Sequence, residues 1–326
     1  MTGTAAVSSV PSPPASGLRH ILYPYSGQEQ YVTGTLAYIE QARSGGAAVL
    51  VAAPEARREL LRPHLPDDQA VTFLDTVALG RNPARLIPAW QEWIGLHCRD
   101  GRSVHGISEP VWSGRSAAHL SELRYHEWLL NRAFAAAPAW SLLCPYDTAG
   151  QLPAAVQALG RLHPWVWDGA AHTSGSDYVD GPYAYEPLGE PCDPFEEIPY
   201  TGGGLAALRA KVASCAQANN MAQERLRDLM LAVTEIATNS IRHGGGSGTL
   251  RVWAQEGTLV CELRDAGVIA DPMTGRTQPT ADHPGGRGLW FAHQLCDLVE
   301  IRSAPYDGTR VRLHMDLPEP AADAGY

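Results

Sequence analysis

Residues 235–243 read Glu235-Ile-Ala-Thr-Asn239-Ser-Ile-Arg-His243. They close a stretch, Gln223–His243, whose apolar residues recur at helical spacing. Leu226, Leu229, Met230, Val233 and Ile236 form a stripe that would pack on a sheet. Glu235 and Asn239 stand four apart and so share one helix face. An amide oxygen beside a carboxylate suits a hard cation such as Mg²⁺, which takes oxygen ligands and keeps several waters. The carboxylate can then orient or deprotonate whatever attacks a phosphate held by that metal.

Working outward, the helical stretch Leu205–Ala218 precedes this helix. Two strands follow it, Thr249–Ala254 and Leu259–Arg264, with Glu256-Gly257 at the turn. The second strand runs into Asp265-Ala-Gly267. A carboxylate at a strand end can accept from an exocyclic amine, and the glycine lets the chain pass close beneath a flat ring. After a Pro/Gly-rich loop, 268–285, comes Gly285-Gly286-Arg287-Gly288-Leu289-Trp290, opening a helix that runs Gly288–Cys296. Such glycines present backbone N–H groups and a positive dipole end to phosphate. Strands Leu298–Ser303 and Thr309–Met315 complete the pattern, helices on one face of a mixed sheet in an α+β sandwich. Taken singly, these elements are a solvated helix face, a turn and a helix cap. Their order and spacing make the combination specific.

Residues 204–316 on these motifs resemble the GHKL (Bergerat-fold) ATPase superfamily, and within it the small anti-sigma-factor serine/threonine kinases. Glu235 and Asn239 match its N box, Asp265 and Gly267 its G1 box, and Gly286 and Gly288 its G2 box. Thr309, in Gly-Thr-Arg-Val-Arg-Leu, matches its late threonine. The resemblance implies an ATP–Mg²⁺ site in which Asn239 binds the metal and Glu235 acts as base or water positioner. It implies that Asp265 reads the adenine amine and that the G2 glycines face the phosphates. It also carries His243, Arg287 and Leu289 to the cofactor-binding set. One departure stands out: Ile269 takes the place of a second G1 glycine. No histidine lies in 205–218, which argues against a histidine kinase and for the branch whose target is a separate protein.

Upstream, residues 18–176 alternate short apolar runs with amphipathic stretches. The runs are Ile21–Tyr23, Ala47–Ala53, Ala70–Leu74, Val104–Ile107, Trp140–Cys144 and Trp165–Trp167; Gln30–Ala42 and Ser116–Ala135 are examples of the stretches. This predicts an α/β domain with a mostly parallel, doubly wound sheet. His20-Ile-Leu-Tyr-Pro-Tyr-Ser26-Gly-Gln-Glu29, the strand Ala-Ala-Val-Leu-Val-Ala-Ala, Val71–Asp75, Cys144-Pro-Tyr-Asp147 and His163-Pro164 resemble the MEDS sensory domain. That resemblance implies a degenerate P-loop-like fold that has lost its phosphate loop. Ligands of such sheets sit at the carboxyl ends of strands. That rule picks Tyr25, Ser26, Glu29, Glu109, Tyr146 and Asp147 as a sensory pocket; the alternative is that they cap helices and satisfy loops. His20 and His163 are read as structural, and no ligand spacing in this domain supports a metal. The tryptophans at 90, 93, 128, 140, 165 and 167 are read as core.

Residues 1–17 and 317–326 are expected as tails, and 177–203 as an acidic linker. Positions 177–197 hold seven acidic residues, no basic ones and four prolines. Of the 25 basic residues, Lys211 is the only lysine, so no P-loop, Schiff-base or kinase-strand lysine exists in 1–210. A formal charge of −10 argues against direct nucleic-acid binding. The six cysteines form no CxxC pair, and no GxSxG elbow occurs. No signal peptide or membrane span is visible, so the chain reads as cytoplasmic. The expected function is an anti-sigma regulator. It binds ATP–Mg²⁺ and a sigma factor or its STAS-type antagonist, phosphorylates the antagonist on Ser/Thr, and answers to the N-terminal domain. The alternative is a non-catalytic module that docks such a partner. The resemblance favours a homodimer through the kinase-like domain.

Overall fold

The computed structural model describes residues 17–65, 70–98, 101–110, 114–191, 195–279 and 286–318. Most of both expected tails, with Cys192 and Gly285, lie outside the described residues. By contact the chain falls into two units. One is Met1–Gly80, Ala89–Arg115 and Leu123–Tyr183; the other is Arg81–Pro88, Ser116–Glu122 and Ala184–Tyr326.

The first part of the chain runs β1 (Leu18–Tyr25), α1 (Gly27–Ser44), β2 (Ala48–Ala53), α2 (Glu55–Leu61), β3 (Val71–Asp75), α3 (Thr76–Leu79) and α4 (Leu86–His97). It continues with β4 (Val104–Ser108), α5 (Ala117–Ala133), β5 (Trp140–Asp147), α6 (Pro153–Gly160), β6 (Trp165–Trp167) and β7 (His172–Ser174). The strands form one sheet in the order β3-β2-β4-β5-β1-β6-β7, parallel throughout except for β7. All six residues of β2 are buried, which requires cover on both faces. On one face, Ile21, Tyr23, Val49 and Val51 pack with Tyr31, Tyr38 and Ile39 of α1 and Leu61 of α2. On the other, Leu22 and Tyr146 pack with Leu159 of α6, and the Trp140 ring lies 5.5 Å from that of Trp90 in α4. The sheet is therefore doubly wound, as the alternation of runs and stretches predicts.

The second part runs β8 (Glu196–Thr201), α7 (Leu205–Ala218), α8 (Gln223–His243), β9 (Ser247–Gln255), β10 (Thr258–Asp265), α9 (Arg287–Leu295), β11 (Leu298–Ala304) and β12 (Gly308–Asp316). Its sheet has the order β11-β12-β10-β9-β8. The expectation of a mixed sheet is corrected: every pairing is antiparallel, since β9 and β10 join as a hairpin and β8 adds antiparallel at the edge. The hairpin turn has positive φ at both Glu256 (48°) and Gly257 (72°), the tight turn whose twist matches its strands. One sheet face buries Leu250, Val252, Leu259, Cys261, Leu263, Val311 and Leu313 against the stripe of α8, with Leu208 and Val212 of α7 and Leu289 and Ala292 of α9. Within this unit Asn82 and Arg85 donate to the carbonyls of His293 and Cys296, which the end of α9 leaves open.

The acidic stretch does more than link. Glu196–Thr201 is the edge strand β8, and residues 186–190 lie on the sheet's outer face. Strand alternation turns Arg251, Arg264, Arg302, Arg310 and Arg312 to that face. Arg302 donates to the Glu186 carbonyl at 3.0 Å, and Arg312 to that of Gly189. The Glu190 carboxylate meets Arg251 at 2.6 Å, Arg264 at 3.1 Å and Arg310 at 3.3 Å. Beneath them Glu262, wholly buried, pairs with Arg264 at 2.5 Å and Arg312 at 2.7 Å. Among the described residues, the acid of this stretch, rejected from a core, finds cationic partners on its own sheet.

Candidate functional site

A cavity of about 400 Å³ lies where the end of α8, the end of β10, the start of α9 and the start of β12 meet. Asn239, His243, Asp265, Gly267, Gly286, Leu289 and Thr309 all line it. Helical spacing sets Glu235 one turn before Asn239. Gly288 sits against both: a Cβ there would lie 2.9 Å from Asn239 Nδ2 and 3.0 Å from Glu235 Oε2. Any side chain at 288 would press on the acid–amide pair, which is why the first turn of α9 carries a glycine there. Arg287 is exposed and is not among the lining residues.

Asp265 is fixed from two sides. Its Oδ2 accepts from Ser240 Oγ at 2.6 Å and its Oδ1 from the Gly267 amide at 2.8 Å. A relay holds the far wall: Ile269 N donates to Ser303 Oγ, which shares a hydrogen bond with Thr309 Oγ1, which donates to the Gly267 carbonyl, each at 2.8 Å. Sequence reading missed Ser240, Ser303 and Gly244. A Cβ at Gly244 would fall 2.4 Å from Asp265 Cγ, so only glycine leaves that carboxylate its place. The run Gly244-Gly245-Gly246 after the helix was the available signal. Ile269, Val268, Ala270 and Ile236 add an apolar wall beside the carboxylate. A cavity with a carboxylate near an apolar slot at one end suits a flat, amine-bearing ring. An acid–amide pair and a helix N-terminus at the other end suit a metal-bound anion.

The six sensory-pocket candidates do not form one group. Tyr25 donates to Glu109 Oε1 at 2.9 Å, and Arg57 reaches both Glu109 at 3.1 Å and Asp147 at 3.5 Å while lying 4.8 Å from the Tyr31 ring centre. Burial pushes the Glu109 carboxyl up against the pull of Arg57. Tyr146 packs on the opposite sheet face with Leu22 and Leu159, while Ser26 and Glu29 are not buried and start α1. Being at a strand's end does not say to which face a side chain points; Arg57 and Tyr31, on helices, were not found from strand ends.

Residues 19–164 match the MEDS family, the MEthanogen/methylotroph, DcmR Sensory domain, and residues 199–315 match the histidine kinase-like ATPase domain. The chain carries a MEDS domain followed by a histidine kinase-like ATPase domain. A similar solved structure is that of the RsbU and RsbW domains of Rv1364c from Mycobacterium tuberculosis, at 18% identity and a TM-score of 0.30. The similarity covers 40% of this chain and 33% of that one, so the chain spans about a third of that structure's length. No curated protein matches the chain. The ATPase domain contains the whole cavity, with Gly244 and the Ser303–Thr309 relay. No helix of the described residues is long and apolar enough to cross a membrane.

Proposed function

We propose that the ATPase domain binds ATP with Mg²⁺ and transfers the γ-phosphate to a Ser or Thr of a STAS-type anti-sigma antagonist, and that the MEDS domain biases this step. The reading rests on one juxtaposition: Asn239, Asp265 and Gly286 line a single cavity, with Glu235 one turn from Asn239. In it Asp265 accepts from the adenine amine, Gly286 and the α9 N-terminus face the phosphates, and Asn239 offers its carbonyl oxygen to the metal. The oxygen donors of Glu235 and Asn239 fit Mg²⁺ and not a soft metal. Bound Mg²⁺ supplies charge neutralisation at the phosphates. Glu235 takes the proton of the attacking hydroxyl, and a phosphate on the antagonist adds about −1.5 to −2 charges that weaken its docking.

The second reading, a docking module without turnover, is favoured by Ile269. Its bulk lines the cavity where the resemblance puts a glycine. Purified chain with labelled ATP, Mg²⁺ and the antagonist encoded by its host separates the two. Label on the antagonist that disappears with Asn239→Ala supports transfer; tight complex formation without label supports the module.

Asp265→Asn is expected to weaken ATP binding by about 10–100-fold, the worth of a hydrogen bond to a charged group. The amide keeps an oxygen for the Gly267 N–H, so circular dichroism stays native. Titration calorimetry showing wild-type ATP affinity in that variant would refute the adenine role.

A further inference from the structure

A second chemical site lies in the MEDS domain. His20 on β1, Glu127 on α5, Cys144 on β5 and His163 after α6 offer one ligand atom each, all within 4.8 Å of one another. The four are 0%, 2%, 4% and 1% exposed. His20 Nε2 stands 3.1 Å from Glu127 Oε2 and 3.3 Å from Cys144 Sγ, and His163 Nε2 stands 3.4 Å from the same Glu127 oxygen. The two rings lie 4.0 Å apart, centre to centre.

The outer partners assign the tautomers. His163 Nδ1 is 2.8 Å from the Leu159 carbonyl, which can only accept, so Nδ1 carries the proton. Asn131 donates its Nδ2 to the Leu162 carbonyl at 2.8 Å, which turns its Oδ1 to His20 Nδ1 at 3.2 Å. His20 therefore also donates from Nδ1. The His20 Nε2 lone pair faces the Glu127 carboxylate and the Cys144 thiol, that of His163 faces the same carboxylate, and His163 Nε2 makes no hydrogen bond. The thiol proton alone cannot satisfy these three acceptors in a dry interior.

We infer that His20, Glu127, Cys144 and His163 form a closed four-ligand site for a divalent transition metal, zinc in the first instance. Metal–ligand bonds of about 2.0–2.3 Å on a tetrahedron separate ligand atoms by about 3.3–3.7 Å. The observed 3.3 and 3.4 Å fall within that range, 3.1 Å falls just below it, and the remaining pairs stay within 4.8 Å. A dication is neutralised by one carboxylate and one thiolate. The metal–sulfur bond forms as the Cys144 S–H bond breaks, and the proton leaves to water. Two imidazoles and a thiolate select zinc over magnesium or calcium. With no position open to solvent the site is structural. It pins β1, β5, α5 and the segment before β6 to one point, and Asn131 and the Leu159 carbonyl orient its histidines. The sequence offered no ligand spacing for a metal in the first domain, and His20 and His163 read there as structural; the geometry goes beyond that reading.

The test uses the full chain, free of a histidine tag and of chelator. Elemental analysis is expected to give one zinc per chain. Cobalt added to the zinc-stripped chain is expected to give intense tetrahedral bands with a sulfur-to-cobalt charge-transfer band, the latter lost in Cys144→Ala. Should Cys144→Ala fail to fold, Asn131→Ala leaves all four ligands in place and is expected to weaken zinc by about 10–100-fold in chelator competition. A folded wild-type chain that takes up neither metal, cobalt bound without the thiolate band, or unchanged zinc affinity in Asn131→Ala would overturn the site.

Discussion

Glu235→Gln is expected to slow phosphoryl transfer to the antagonist by about 10²–10⁴-fold, the usual worth of a positioned general base. The substitution is nearly isosteric. It keeps a side chain of the same length against Gly288, whose backbone approach tolerates no rearrangement there. ATP affinity and the melting profile are therefore expected to change little. The loss should fall on the turnover rate in single-turnover assays with saturating ATP. Two results would redirect the reading. Undiminished transfer would remove Glu235 from the chemistry. Lost ATP binding would make it part of the nucleotide pocket and not a base. Asn239→Ala differs in kind, since it removes an oxygen from the cavity wall, and its defect should appear in Mg²⁺-dependent binding.

Glu262→Ala is expected to destabilise the second sheet by about 3–5 kcal/mol, because it strands cations on a covered face. Glu262 is 0% exposed and bridges Arg264 and Arg312, with Arg251 3.9 Å away. The guanidinium side chains are only 12–19% exposed, so water replaces the lost carboxylate poorly. Glu190 remains beside Arg251 and Arg264, which sets the expected loss at the lower end of that range. Glu190→Ala is the control. That carboxylate is 59% exposed, so its ion pairs contribute at most about 1 kcal/mol. Hydrogen exchange at β9, β10 and β12 amides reads both variants directly. Exchange should accelerate by roughly 100-fold in Glu262→Ala and little in Glu190→Ala. Equal effects would mean that Glu190, and not the buried carboxylate, holds the face.

How much was legible follows from the range of the interactions. The bounds Leu205–Ala218 and Gln223–His243 coincide with the observed helices, because apolar periodicity and a break after it are local. The Glu235–Asn239 spacing fixed a shared face for the same reason. Strand β10 running into Asp265, and glycines before α9, were also readable in short stretches. The seat of Glu190 on the sheet was not, because strand alternation in separate strands is needed to gather its arginines, and equal numbers of acid and base in 201–316 conceal it. The pocket candidates of the MEDS domain divided because strand ends fix height along a sheet but not the face.

Sequence by itself determined the two fold classes, the order of most elements and the residue types at the cavity, since each is written in windows of at most a few helical turns. Tertiary structure alone decided that Gly244 leaves room for Asp265, that Glu190 neutralises arginines of the sheet, and that His20, Glu127, Cys144 and His163 meet in the MEDS domain. His20 and Glu127 are 107 positions apart, and His20 and Cys144 are 124 apart. Parallel pairing of β1 with β5 and the packing of α5 bring them together. No spacing rule along the chain encodes contacts that exist only after the sheet has closed its neighbours around them.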